Sequence, residues 1–152
     1  MRILISFFLI LVSLSIHAQK EYTTSVPKAI NYFENALRFY DAHQNEKALD
    51  AVDGALRADP KFIEAHMMMA NILSDMKLYE RAILAYKDAI AINENFFPNN
   101  YYSLGKVEYL TGIYSDAKTH FEKFLTFPKL KPILKANAEK FVSKIVLSEE
   151  FV

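Results

Sequence analysis

Three blocks of this chain align on one another at a spacing of about 34 residues, and no other feature restricts the fold as strongly. Ala36 recurs as Ala70 and Gly105, Ala48 as Ala82 and Ala117, and Val52 as Tyr86 and Phe121. A unit of that length with two helical patterns cannot bury its apolar faces alone and must stack on its neighbours. The expected fold is therefore all-α, an α-α superhelix of three helix-turn-helix units.

The helical stripes locate the elements. Ile30, Phe33, Ala36, Leu37 and Tyr40 mark a first helix over about 27–42, with Pro27 just inside it and Ser25 as its expected cap. His43, Gln44 and Asn45 turn the chain into a second helix, about 46–58, striped by Ala48, Leu49, Val52, Ala55 and Leu56. Asp59 and Pro60 stop it, and Asp59 is expected to cap the third helix, about 61–76. A fourth helix follows over 79–92, a fifth over 99–110 and, after Thr111 and Gly112, a sixth over 114–127. Pro128 and Pro132 bracket a break. A last amphipathic helix, 132–150, turns Ile133, Ala136, Phe141, Ile145 and Val146 inward and Lys135, Glu139, Lys140 and Lys144 outward, which suits a helix covering the end of a stack. The three units span about 29–62, 63–97 and 98–131, and residues 19–26 read as a linker.

The first 18 residues differ in kind. Arg2 precedes an apolar run from Ile3 to Ile16, closed by His17, Ala18 and Gln19, which is the pattern of a secretory signal peptide cleaved near Ala18. As a helix that run reaches about 21 Å, short of the roughly 30 Å hydrocarbon core of a bilayer. A retained membrane anchor is the rival reading. Cleavage implies an exported chain, periplasmic or associated with the outer membrane.

Composition excludes several classes of chemistry. Eighteen Lys and Arg balance eighteen Asp and Glu, so no net field attracts a polyanion, and nucleic acid is not an expected partner. Absence of cysteine removes disulfides, thiolate catalysis and cysteine-ligated zinc. His17, His43, His66 and His120 show no metal-binding interval, and Gly54, Gly105 and Gly112 are too scattered for a phosphate loop. No cofactor, metal, small-molecule substrate or catalytic residue is expected.

The periodic residues resemble the tetratricopeptide repeat. Ala36, Ala70 and Gly105 stand where the two helices of such a unit touch, and Ala48, Ala82 and Ala117 where the second helix packs closely. Tyr32, His66 and Tyr101 stand where the family often has tryptophan, and Pro60 is the closing proline, replaced by Glu94 and displaced to Pro128 in the later units. Phe124 replaces the small Ala55 and Ala89, so the third unit is expected to pack differently against the last helix.

The resemblance implies a scaffold whose first helices line a concave groove for a protein or peptide. Carried over, the groove residues are Phe33, Leu37 and Tyr40, then Met67, Asn71 and Ser74, then Tyr102, Lys106 and Tyr109. Asn71 and Lys106 suit a peptide backbone or a carboxylate. The sites by which some members grip an acidic chaperone tail hold Phe33, Leu37, Met68, Asn99 and Ser103 here, so that grip is not expected. A looser resemblance, to exported repeat segments of Gram-negative envelope proteins, implies cell-envelope assembly as a setting. In the alternative it implies, the repeats brace a neighbouring domain of a longer protein.

Overall fold

The computed structural model describes residues 21–149, so the signal-peptide reading of residues 1–18 lies outside the described residues. Seven helices follow in order among them: α1 (Pro27–Asp41), α2 (Asn45–Ala58), α3 (Ile63–Asp75), α4 (Tyr79–Ile92), α5 (Asn99–Leu110), α6 (Tyr114–Leu125) and α7 (Pro132–Glu149). They pack as the hairpins α1/α2, α3/α4 and α5/α6, with each hairpin meeting the next and α7 lying on α6.

The core is divided as a stack requires. Phe33, Ala36 and Val52 of the first hairpin share a cluster with Phe62, just ahead of α3, and with Ala65, Met68 and Ile72 of α3. Leu73, Ala82, Ile83 and Tyr86 share the next with Leu104 and Val107 of α5. Tyr101, Phe121 and Phe124 share the last with Ala138 and Ile145 of α7. Every hairpin thus buries its apolar face partly against its successor.

Small residues set the approach of the helices. Ala36, Ala48, Ala70, Ala82 and Ala117 are fully buried, and Gly105 is buried with them. A Cβ on Gly105 would lie 3.1 Å from the Ala117 carbonyl oxygen and 3.2 Å from the Phe121 ring. Gly54 has a similar role, since a Cβ there would come within 2.7 Å of the Tyr32 ring. The same pair of positions in the third unit holds Tyr101 and Lys123, whose ammonium lies 5.8 Å from the ring centroid.

The turn inside each hairpin is one motif repeated. His43, Lys77 and Gly112 all have positive φ, at 56°, 60° and 81°. The following N–H reaches back to the carbonyl five residues earlier: Gln44 to Phe39 at 2.9 Å, Leu78 to Leu73 at 2.8 Å, Ile113 to Glu108 at 2.8 Å. Together with the bonds from His43 to Tyr40, Lys77 to Ser74 and Gly112 to Tyr109, this is a Schellman closure of the first helix.

Four local expectations are corrected. Ser25 does not cap α1, whose N-cap is Val26 without a side-chain bond; the Val26 N–H donates instead to Thr24 Oγ1. Asp59 caps a turn and not a helix. Its Oδ1 accepts the Lys61 N–H at 2.9 Å, and the chain needs three more residues before α3 can start at the correct angle, so the N-cap is Phe62. Asn93 repeats the device with the Asn95 N–H at 3.0 Å. In α7, Ile133 is 67% exposed and Ala136 is exposed too, while Leu134, Ala138, Phe141, Val142 and Ile145 face α5 and α6. Intervals of four and three select that face once the first turn has cleared the end of α6. Residues 21–26 are also no free linker: Tyr22 packs on Phe33 and Phe62, and Thr24 is buried.

Candidate binding cleft

The first helices of the three hairpins stand side by side and leave between them an open cleft of about 390 Å³. Tyr40 of α1, Asn71 and Ser74 of α3, and Ser103 and Lys106 of α5 line it, with Tyr86 of α4 behind them. Asp75 and Lys77 stand at the end where α3 turns, and Val107 and Leu110 supply the apolar part.

One hydrogen bond orients the polar side. The Tyr86 hydroxyl donates to Asn71 Oδ1 at 2.6 Å, and the Ser103 hydroxyl stands on the Tyr86 side of the cleft. A phenol has one proton, so that bond commits the Tyr86 hydroxyl and holds the Asn71 carbonyl towards α4. The Asn71 Nδ2 group is left with both its hydrogens to offer. Tyr40 closes the other wall by donating to Asp75 Oδ2 at 2.6 Å, which ties α1 to α3.

Both phenols stay protonated far above neutral pH. Burial pushes Tyr86 up to about 12, the Ser103 hydroxyl opposes that, and the Asp75 charge adds to it. Tyr40 is also raised to about 12, first by burial and then by its hydrogen bond to Asp75 and the Asp75 charge. Lys77 and Lys106 are exposed and have no ion pair among the described residues. Around Asn71 and Lys106 the free polar groups are therefore donors and a cation, with the Asp75 carboxylate apart from them at the end where α3 turns. What fits is an acceptor: a backbone carbonyl or a carboxylate.

Of the nine residues expected along a groove, the structure brings Tyr40, Asn71, Ser74 and Lys106 together here. The other expected aromatics, Phe33, Tyr102 and Tyr109, do not join Tyr40 there, because they are used in packing. Phe33 is 5% exposed, at 4.8 Å from the Phe62 ring. Tyr102 lies on Phe121 and Phe124, and Tyr109 on Tyr114 and on Phe141 of α7. Leu37 is half-buried against the first cluster, and Met67 is half-buried outside the cleft. Sequence reasoning missed Tyr86, Ser103 and Asp75. Tyr86 sits on an apolar stripe, where only its hydroxyl distinguishes it from the Phe121 that recurs at that position.

It also missed a buried carboxylate. Glu108 is fully buried, its Oε2 lies 2.6 Å from His120 Nδ1, and Lys87 Nζ is 3.6 Å from Oε1. Oε1 has no hydrogen-bond partner among the described residues. The equivalent residue of the preceding unit is Leu73 in the core, so the register itself hid it. Among the described residues, no three His, Asp or Glu side chains gather in a metal-holding set, and no helix is long and apolar enough to cross a membrane.

Comparison with known proteins bears on the same features. Residues 63–96 match the family model for the tetratricopeptide repeat. The human protein O-mannosyl-transferase TMTC1 is 30% identical over 106 residues, which is 66% of this chain and 12% of that protein. The chain thus spans about an eighth of this relative. The first TPR of Spaghetti (RPAP3), bound to an HSP90 peptide SRMEEVD, superimposes with a TM-score of 0.74 at 17% identity, over 81% of this chain and 97% of that one. The Yersinia enterocolitica type III secretion chaperone SycD, in complex with a peptide of the translocator YopD, gives 0.72 at 15% identity, over 79% and 93%. These likenesses show the fold.

Proposed function

The chain belongs to the tetratricopeptide repeat family, and on that premise we propose that it is a protein-interaction scaffold holding an extended segment of another protein in the cleft. The carrying observation is the bond from Tyr86 to Asn71, which turns the Asn71 amide hydrogens outward beside Lys106. An extended segment presents a carbonyl at every residue, and a carboxylate on it would meet Lys106 or Lys77. Two proteins of the same fold hold peptides, one from HSP90 and one from a translocator, which supports the reading. We assign no catalytic step.

The same proposal places the protein outside the cytoplasm, periplasmic or associated with the outer membrane, with the leader removed near Ala18. The support is the charged, apolar and small-residue order of residues 1–18. Mass spectrometry of the mature amino terminus tests it, and a retained Met1 would refute it.

The cleft is tested with Asn71→Ala/Lys106→Ala. Both positions are exposed, so helicity should be unchanged. Partners captured from an envelope extract by the unsubstituted chain should be lost by at least about tenfold, as befits two charge-assisted or amide hydrogen bonds. Undiminished capture by the folded variant refutes the cleft reading.

A further inference from the structure

The segment ahead of α1 lies on the repeats as a ligand would. Tyr22 packs edge-on against Phe33 and Phe62, with ring centroids at 5.4 and 5.7 Å. The Thr23 N–H donates to Glu64 Oε1 at 3.0 Å, and the Thr23 hydroxyl donates to Glu64 Oε2. The Ile63 N–H donates in turn to Thr23 Oγ1 at 3.2 Å. Thr24 is buried beside Asp59, whose carboxyl is held below its usual range first by the Thr24 hydroxyl and then by the Lys61 N–H.

These contacts read side chains. A ring enters a two-ring seat, and one carboxylate takes both the N–H and the O–H of the next residue, a pairing that specifies an aromatic residue followed by a hydroxyl-bearing one. Among the described residues, the bonds that tie Thr23 to the repeats all involve a side chain. Glu21, Ser25 and Val26 are exposed, as are the bonds to Glu64. The segment is therefore anchored at three consecutive residues and can leave without opening any helix.

We propose that the face formed by Phe33, Phe62, Ile63 and Glu64 is a second peptide-binding site, specific for an extended Tyr-Thr-Thr segment, and that residues 21–26 of this chain occupy it in cis as a displaceable ligand. None of its residues lines the cleft assigned above, so the two readings stand or fall separately.

The test uses the full chain, isotope-labelled for NMR, and the hexapeptide Glu-Tyr-Thr-Thr-Ser-Val copied from residues 21–26. In the unsubstituted chain the Thr23 and Ile63 amides should exchange with solvent by local opening, well ahead of core amides such as Ala70. In Tyr22→Ala/Thr23→Ala the added hexapeptide should shift the resonances of Phe33, Phe62 and Glu64. Its apparent Kd should be at least about tenfold lower than for the unsubstituted chain, where a tethered copy competes at an effective concentration in the millimolar range. Adding Glu64→Ala should abolish that binding. Ile63 exchange as slow as that of Ala70 overturns the proposal, as does a helical double variant that shows no shifts. Should the double variant not fold, the exchange measurement on the unsubstituted chain decides by itself.

Discussion

Replacing His43 or Lys77 with glycine should stabilise the fold, whereas Gly112→Ala should weaken it by a similar amount. The three residues close equivalent hairpins with φ of 56°, 60° and 81°, and all three are exposed. A Cβ on Gly112 would meet nothing within 4 Å, so the substitution there reports on backbone conformation alone. A side chain held in the left-handed region costs about 1–2 kcal/mol. Glycine recovers that but loses about 0.5–1 kcal/mol more chain entropy on folding. The difference leaves a gain of about 0.5–1 kcal/mol for His43→Gly, the same for Lys77→Gly, and an equal loss for Gly112→Ala. The two turns share no partners, so the gains should add in the double variant, to about 1–2 kcal/mol. Urea unfolding at constant m would show a shifted midpoint, and Tm should move by about 3–5 °C per kcal/mol for a chain of this size. If all three substitutions lowered stability alike, the argument from left-handed turns would be wrong.

Three further outcomes follow from the packing. His120→Ala should cost about 1–3 kcal/mol by leaving the Glu108 carboxylate buried without its closest partner, and Glu108→Leu in the same chain should restore most of it, as measured by urea unfolding. Gly54→Val should destabilise by about 1–3 kcal/mol through the Tyr32 ring, and Tyr32→Ala added to it should relieve the clash. Tyr40 and Tyr86 are both raised from 10.0 to about 12 in the folded chain, so the folded state keeps protons that the unfolded one releases. Their contribution is complete below pH 10 and is lost as pH rises towards 12. Stability should fall over that interval, and less so in Tyr40→Phe/Tyr86→Phe, as followed by tyrosinate absorbance and thermal unfolding.

How far the sequence could be read depends on what each residue answers to. The helices were legible because their stripes answer to the helix's own period, and α4 and α5 begin and end where the pattern places them. The hairpin contacts were legible because Ala48, Ala82 and Ala117 must be small wherever two backbones meet closely, and that demand recurs with the unit. The cleft was only half legible. Tyr40, Asn71, Ser74 and Lys106 could be placed by register, but register alone does not tell a groove aromatic from a packed one. Tyr102 and Tyr109 were claimed by the third core and α7, and Phe33 by Tyr22.

By itself, then, the chain's periodicity determined the helices, their pairing and the stacking of the units, since these follow from short-range geometry repeated along the backbone. Only the tertiary structure decided which way Asn71 turns, where Glu108 finds His120, and that residues 21–26 lie on the first two units. Each of those depends on groups brought within a few ångströms by helices distant in sequence, and no spacing along one strand of residues encodes that encounter.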